Sequence, residues 1–257
     1  MKVMYRIHRI LRAAACAGLA VTATATTLPA AAEGPSPTVV ELFTSQGCSS
    51  CPPADAALAS LRDHPDILTL TWAVDYWDRL GWQDTFAEPN NAVRQTAYNK
   101  RLGRGGVYTP QMVFDGVDEC VGSDRTHIRD LLEKLKAGQQ THIPVTLKAD
   151  GDNLTVDLPA TDIGEEIAVR LVWYLSDATV EIGDGENAGR TLHYTNVVRG
   201  SDIIADWTGD ARQLKLDIAA GRTLGADHAA ILLQKGYGHG PIVGSASTNI
   251  TAPAANP

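Results

Sequence analysis

A chain of 257 residues with 30 acidic against 22 basic side chains, a formal charge of −8 and 44% hydrophobic residues has the composition of a globular protein, long enough for two modest domains. Its scattered, acidic charge excludes the electrostatic footprint of a nucleic-acid or anionic-lipid binder. Four cysteines in this length exclude a disulfide-stapled scaffold.

The chain opens on Lys2, Arg6, Arg9 and Arg12, continues through a small apolar run from Ala13 to Thr27, and reaches Ala30-Ala31-Ala32. This three-part pattern is that of a cleaved export signal, residues 1–32, cut after Ala32. The run is too short and alanine-rich for a membrane anchor, which needs about 20 apolar residues. Cleavage takes Cys16 and four basic residues, so −8 becomes −12, and the mature chain keeps Cys48, Cys51 and Cys120. A periplasmic or secreted protein without a membrane span is expected.

Thr38 to Thr44 reads as a strand that ends at Ser45-Gln46-Gly47. Cys48-Ser49-Ser50-Cys51 follows, then Pro52-Pro53 and a helix from Ala54 to Leu61. Ile67 to Val74 is a nearly continuous apolar strand, of the kind buried on both faces of a parallel sheet. Asp75 to Trp82 is an aromatic-rich loop, and a helix follows from Pro89 to Leu102 with Ala92, Val93, Ala97 and Leu102 as its expected buried set. Gln111 to Phe114 and Val117 to Val121 form a hairpin about Asp115-Gly116, and Asp124 caps a helix running to about Lys136.

The order is βαβ, then α, then ββα, an α/β domain spanning 33–140. A right-handed crossover makes the first two strands parallel neighbours. The cysteine turn and the Asp75–Trp82 loop therefore leave the same edge of the sheet. Beyond Gly138 the period becomes two: Ile143, Val145, Leu147; Leu154, Val156, Leu158; Val169 to Leu175; Leu214, Leu216, Ile218; and Ile231 to Leu233. This predicts an all-β sandwich of seven or eight strands over 141–250, with a loose tail over 251–257.

A thiolate attacks disulfides, so a redox cysteine needs a lowered pKa. Cys48 is expected at the helix start, where N–H groups and the helix dipole favour an anion. Cys51, one turn later and more buried, would resolve the mixed disulfide. Pro52-Pro53 suits a first helical turn. Three other readings of the pair stay open: an inert structural bridge, a zinc site, and a copper site using both thiolates with a His. Zinc lacks a second C-x-x-C or paired histidines. His64, His127, His142, His228 and His239 are scattered and read as surface residues.

The C-x-x-C after the first strand and Thr109-Pro110 before the third resemble the thioredoxin superfamily. That resemblance implies a thioredoxin-like fold for the first domain, a cis Pro110 beside the catalytic pair, and a Thr109 whose backbone binds extended substrate. Longer motifs look like a bacterial family of secreted thioredoxin-like proteins of unknown function. They are Glu41 to Asp55, Val74 to Asp78, Leu80-Gly81-Trp82, Tyr108 to Gln111, Glu186 to Leu192 and Asn196 to Arg199. Two features depart from the resemblance: Ser49-Ser50 brings no cation to a thiolate, and Cys120 has no counterpart. Cys120 reads as a small buried hydrophobe.

Trp77, Trp82, Asp75 and Asp78 are candidates for a substrate lip or acid/base group, against a reading as core caps and turn caps. The stretch around His193, Glu186 to Arg199, is either a loop folded onto the cysteine edge or a plain hairpin turn. The expected function is thiol–disulfide exchange through Cys48, Cys51 and Pro110, with Thr109, Trp77, Trp82 and Asp75 binding substrate. Partners would be protein or small-molecule thiols and disulfides and a redox partner protein, with no cofactor and no resident metal. The alternatives are a binding protein or copper carrier on the same fold, and a non-enzymatic adaptor with a structural disulfide.

Overall fold

The computed structural model describes residues 36–138 and 142–251. The expected signal with Cys16, and the tail from residue 252, lie outside the described residues. In chain order come β1 (Thr38–Thr44), α1 (Pro52–Ala59), β2 (Ile67–Ala73), α2 (Pro89–Arg101), β3 (Gln111–Phe114), β4 (Asp118–Val121) and α3 (Arg125–Ala137). Then follow β5 (Thr146–Asp150), β6 (Asn153–Leu158), β7 (Ile167–Glu181), β8 (Thr191–Trp207), β9 (Arg212–Asp217), the short α4 (Ala219–Thr223), β10 (His228–Gln234) and β11 (Ile242–Asn249). No described helix is long and apolar enough to cross a membrane.

The protein is a mixed α/β fold dominated by one large sheet of order β11-β10-β7-β8-β2-β1-β3-β4. β1 and β2 run parallel in register from Thr38↔Ile67 to Thr44↔Ala73, so both leave the sheet at one edge. The β3–β4 turn places Asp115 at φ 43° and Gly116 at φ 65°, the left-handed pair a tight hairpin requires. Asp124 caps α3 by accepting from His127 N at 3.0 Å.

The division at 140/141 is not a break in the sheet. β8 continues the sheet beside β2, pairing in parallel at Thr71↔Val197. With so short a ladder, side chains stitch the joint. Asn196, at φ 50°, donates from Nδ2 to Thr69 O at 2.9 Å and lies 3.0 Å from Thr69 Oγ1, while Thr71 Oγ1 donates to Thr195 O at 2.6 Å. This explains the Asn196 motif structurally. Asn196→Ala is expected to destabilise by about 2–3 kcal/mol, since it orphans a buried carbonyl and puts Ala in left-handed backbone. Urea unfolding checks this; a loss below about 1 kcal/mol would show that the stitch carries little.

The later strands divide between two sheets, β5, β6 and β9 in a small one and β7, β8, β10 and β11 in the large one shared with β1 to β4. The small sheet β5-β6-β9 lays Leu147, Leu154, Val156 and Leu158 on Val169, Leu171, Trp173, Ile231 and Leu233 of the large one. The alternate residues Val172, Tyr174, Ala230 and Leu232 point into a second core with Val39, Leu70, Trp72 and Tyr98. β7 and β10 are therefore buried on both faces. Ile218, expected at a strand end, instead precedes α4. β8 escapes a periodicity reading because Arg199-Gly200-Ser201-Asp202 interrupts its apolar alternation.

Helix α2 bears out only part of the expected burial: Ala92 and Leu102 are partly buried against the core and Ala97 is partly buried, but the most deeply buried residues are others. Val93 is exposed, while Asn91, Arg94, Gln95, Tyr98 and Asn99 are buried. Their partners are polar groups on the sheet. Arg94 Nε bonds Glu41 Oε1 at 2.8 Å, and Gln95 Nε2 and Asn99 Oδ1 both meet Gln111, at 2.9 and 2.6 Å. A polar helix face is stable here because polar strand residues oppose it.

Candidate functional site

Two turns link β1 to α1. Cys48 N donates to Ser45 O at 3.1 Å, and Cys51 N to Cys48 O at 3.2 Å. Cys48 and Cys51 are disulfide-bonded with Cα atoms 5.4 Å apart. Ser49 and Ser50 between them are exposed, and Ser50 Oγ lies 3.4 Å from Cys48 Sγ.

Two expectations need correction. The residue at the start of α1 is Cys51, not Cys48, and Pro52-Pro53 occupy the first helical positions without any N–H to offer. The N–H groups of Ala54 and Asp55 turn back onto Cys51 O at 2.8 and 3.1 Å. The polar neighbour of Cys48 Sγ is thus a serine hydroxyl rather than a crown of amides. Nor is Cys51 more buried than Cys48: both cysteines have zero exposed surface.

The walls come from three other segments. Thr109–Pro110 is a cis peptide, and Pro110 O accepts from Gly122 N at 2.9 Å. Trp77, half-buried, donates from Nε1 to Thr109 Oγ1 at 2.8 Å, and a Cβ at Gly47 would stand 3.2 Å from Trp77 Cβ. Trp82 donates to Gln46 Oε1 at 2.8 Å. Asp75 is half-buried at the loop's start. The carboxylate that reaches the turn belongs instead to Asp84, whose Oδ2 accepts from Gln46 N at 2.7 Å. Asp78 Oδ1 in turn accepts from Asp84 N at 3.1 Å.

The third wall is the tip of the β7–β8 hairpin. Glu186 Oε2 accepts from Ser49 N at 3.0 Å. Asn187, fully buried, donates from Nδ2 to Gln46 O and Cys48 O at 2.9 and 3.0 Å, and Arg190 Nη1 holds Asn187 Oδ1 at 2.7 Å. The stretch from Glu186 is therefore both a hairpin tip and a loop on the cysteine edge. His193 is exposed on the arm, 3.0 Å from Thr179 Oγ1.

Three buried polar groups that the sequence did not single out, Asp55, Asp84 and Tyr194, lie close enough to act on one another. Burial drives the Asp55 carboxyl up to about 8, opposed by the Thr44 hydroxyl at 2.9 Å and reinforced by Asp84. Burial likewise raises Asp84. The buried Tyr194 hydroxyl has no hydrogen-bond partner among the described residues and is pushed up by burial and by Asp55 and Asp84. Asp55 was legible as the residue four positions after Cys51, on the same helical face; Asp84 and Tyr194 carry no such signal.

Glu186 is held below the usual carboxylate range by Ser49's hydroxyl and N–H. Cys120 is buried with Met112, Ile128 and Leu131, and burial lifts its thiol to about 12. His142 is no surface residue: it lies beside the buried Asp115, 3.2 Å away. Among the described residues no group of three His, Cys, Asp or Glu side chains is placed to hold a metal ion.

The model of a family described as protein of unknown function, DUF1223, matches residues 39–234, from β1 to the end of β10. The chain belongs to the DUF1223 family. The match covers the cysteine turn, the cis Thr109-Pro110 and the hairpin tip of this DUF1223 protein alike. A crystal structure of a protein from Agrobacterium tumefaciens is similar at 33% identity and TM-score 0.75, covering 88% of this chain and 99% of that one. HBP35 of Porphyromonas gingivalis shares the fold at 15% identity and TM-score 0.55, over 87% of this chain and 80% of its own. No curated protein matches this DUF1223 chain.

Proposed function

We propose that this DUF1223 protein is an exported thiol–disulfide exchange protein on a thioredoxin-like scaffold. The observation that carries the reading is the Cys48–Cys51 bond at the strand-to-helix turn, on the edge where parallel β1 and β2 end and where cis Pro110 leads into β3, whose Gln111 pairs with Phe43 of β1. An incoming substrate thiolate attacks Cys48 Sγ. The Cys48–Cys51 bond breaks, Cys51 leaves as a thiolate that takes up a proton, and a mixed disulfide forms at Cys48. A second substrate thiol then attacks the substrate sulfur of that mixed disulfide and releases Cys48. The substrate leaves oxidised and the protein as a dithiol; the reverse sequence reduces a substrate disulfide. Ser50 Oγ is in place to donate a hydrogen bond to the Cys48 thiolate. Trp77, Trp82 and Thr109 form the lip, and Asp84 takes the place expected for Asp75.

The test is a Cys51→Ser variant exported in cells. It is expected to accumulate mixed disulfides that a further Cys48→Ser change abolishes. No trapped partner would sink the reading. A second reading, an inert bridge in a binding or adaptor protein, is favoured by the complete burial of both cysteines. It predicts an empty trap together with a reduction potential below about −300 mV.

A further inference from the structure

The structure points to the tip of the β7–β8 hairpin, residues 183–190, as a gate that must swing off the cysteine turn before the Cys48–Cys51 disulfide can react, and we propose it as such. Its relevance to substrates rests on the exchange reading above, whereas the gating itself does not.

The tip's fastening and its root differ in kind. The root is apolar: Ile182, Leu192 and Tyr194 are buried with Val197, and Trp82 and Phe86 pack against them. The tip is held on the turn by hydrogen bonds from two residues, Glu186 to Ser49 N and Asn187 to the carbonyls of Gln46 and Cys48. Water can replace each of these bonds once the tip lifts, at little net cost compared with stripping an apolar root. Glycines bracket the fastening. Gly185 and Gly189 stand at φ 75° and 77°, and a Cβ on Gly183 would come within 3.0 Å of the Trp82 ring. The tip thus seats closely on Trp82 and is closed on itself by backbone bonds, Ala188 N to Gly185 O at 3.2 Å and Arg190 N to Asn187 O at 3.1 Å, so that it lifts as one piece. Asn187 and the two cysteines have no exposed surface, whereas Ser49, between those cysteines, is exposed. Local opening of such a segment costs less than global unfolding and exposes little surface.

The experiment follows reduction of the full mature protein's disulfide by dithiothreitol. One dithiothreitol thiolate attacks a cysteine sulfur and displaces the other as a thiolate; the second dithiothreitol thiol closes its ring, leaving cyclic oxidised dithiothreitol and the protein dithiol. In the wild type the rate is expected to level off as dithiothreitol rises, because opening becomes limiting. Asn187→Ala is expected to speed reduction at least tenfold at subsaturating reductant. Arg190→Ala, which leaves Asn187 in place without its orienting partner, is expected to give a smaller gain. The acceleration should rise only weakly with urea. Unchanged rates in folded Asn187→Ala and Arg190→Ala proteins would overturn the gate. So would an acceleration with the urea slope of global unfolding, which would assign the effect to lost stability. Because dithiothreitol reads access alone, this result is separable from an empty Cys51→Ser trap.

Discussion

Arg94→Met is expected to destabilise the protein by about 3–5 kcal/mol, the cost of leaving a buried carboxylate without its cation. Glu41 on β1 and Arg94 on α2 have almost no exposed surface, and their atoms are 2.8 Å apart. Tyr98 OH donates to the second Glu41 oxygen at 2.5 Å. Arg94 also reaches Gln234 Oε1 at 3.1 Å and Gly238 O at 3.2 Å, and its guanidinium lies 4.9 Å from the Trp72 ring centre and 4.8 Å from that of Tyr98. The cluster therefore joins β1, α2 and β10, elements from both sides of the expected domain boundary. A Glu41→Gln change in the Arg94→Met background should recover part of the loss, because it removes the stranded charge. Denaturant unfolding of the two variants checks both statements. A loss below about 1 kcal/mol in the single variant would mean that the ion pair contributes little to stability.

Asp55→Asn is expected to stabilise the protein in neutral and alkaline solution. The folded carboxyl sits near 8, against an ordinary value of 3.8, with burial as the main cause. The folded state therefore holds this proton more tightly than the unfolded chain does. Its contribution is fully present below the unfolded value and is lost as pH rises from there towards the folded value. By pH 7 the loss amounts to as much as about 4 kcal/mol, at roughly 1.4 kcal/mol per unit. Asn keeps an acceptor for the Thr44 hydroxyl and has no charge to desolvate. Urea unfolding from pH 5 to 9 should show the two proteins diverging as pH rises, the variant lying above. Parallel curves would show that the carboxylate is solvated in the folded state. Because Asp55 lies one turn beyond Cys51, the same titration bears on how protons leave the site.

Much of the first half could be read from the residues. Thr38–Thr44 and Ile67–Ala73 are buried on both faces and largely apolar, and Asp115-Gly116 and Asp124 mark a turn and a cap by local chemistry. Helix α2 was legible as a helix but only in part in its orientation. Periodicity counts apolar side chains, and here the buried face is polar because Glu41 and Gln111 wait on the strands. The site divided in the same way. Cys48, Cys51, Trp77 and Trp82 lie on the edge where parallel β1 and β2 end, and Thr109-Pro110 enter at that edge because β3 runs antiparallel to β1. Asp84, Tyr194 and Asn187 join them through contacts of long sequence separation that no local pattern encodes.

Local chemistry by itself determined the strand–turn–helix about the cysteines, the hairpin, and the alternating strands of the later half, since each depends on neighbours a few residues away. Tertiary structure alone decided that β8 would extend the first sheet rather than found a second domain, and that the hairpin tip beside it would bond to the backbone of the cysteine turn. Both outcomes depend on which edge β2 leaves unpaired and on what Asn187 and Asn196 find across more than a hundred residues of chain. Side-chain amides reach whatever backbone the fold brings near, and their own sequence does not name it.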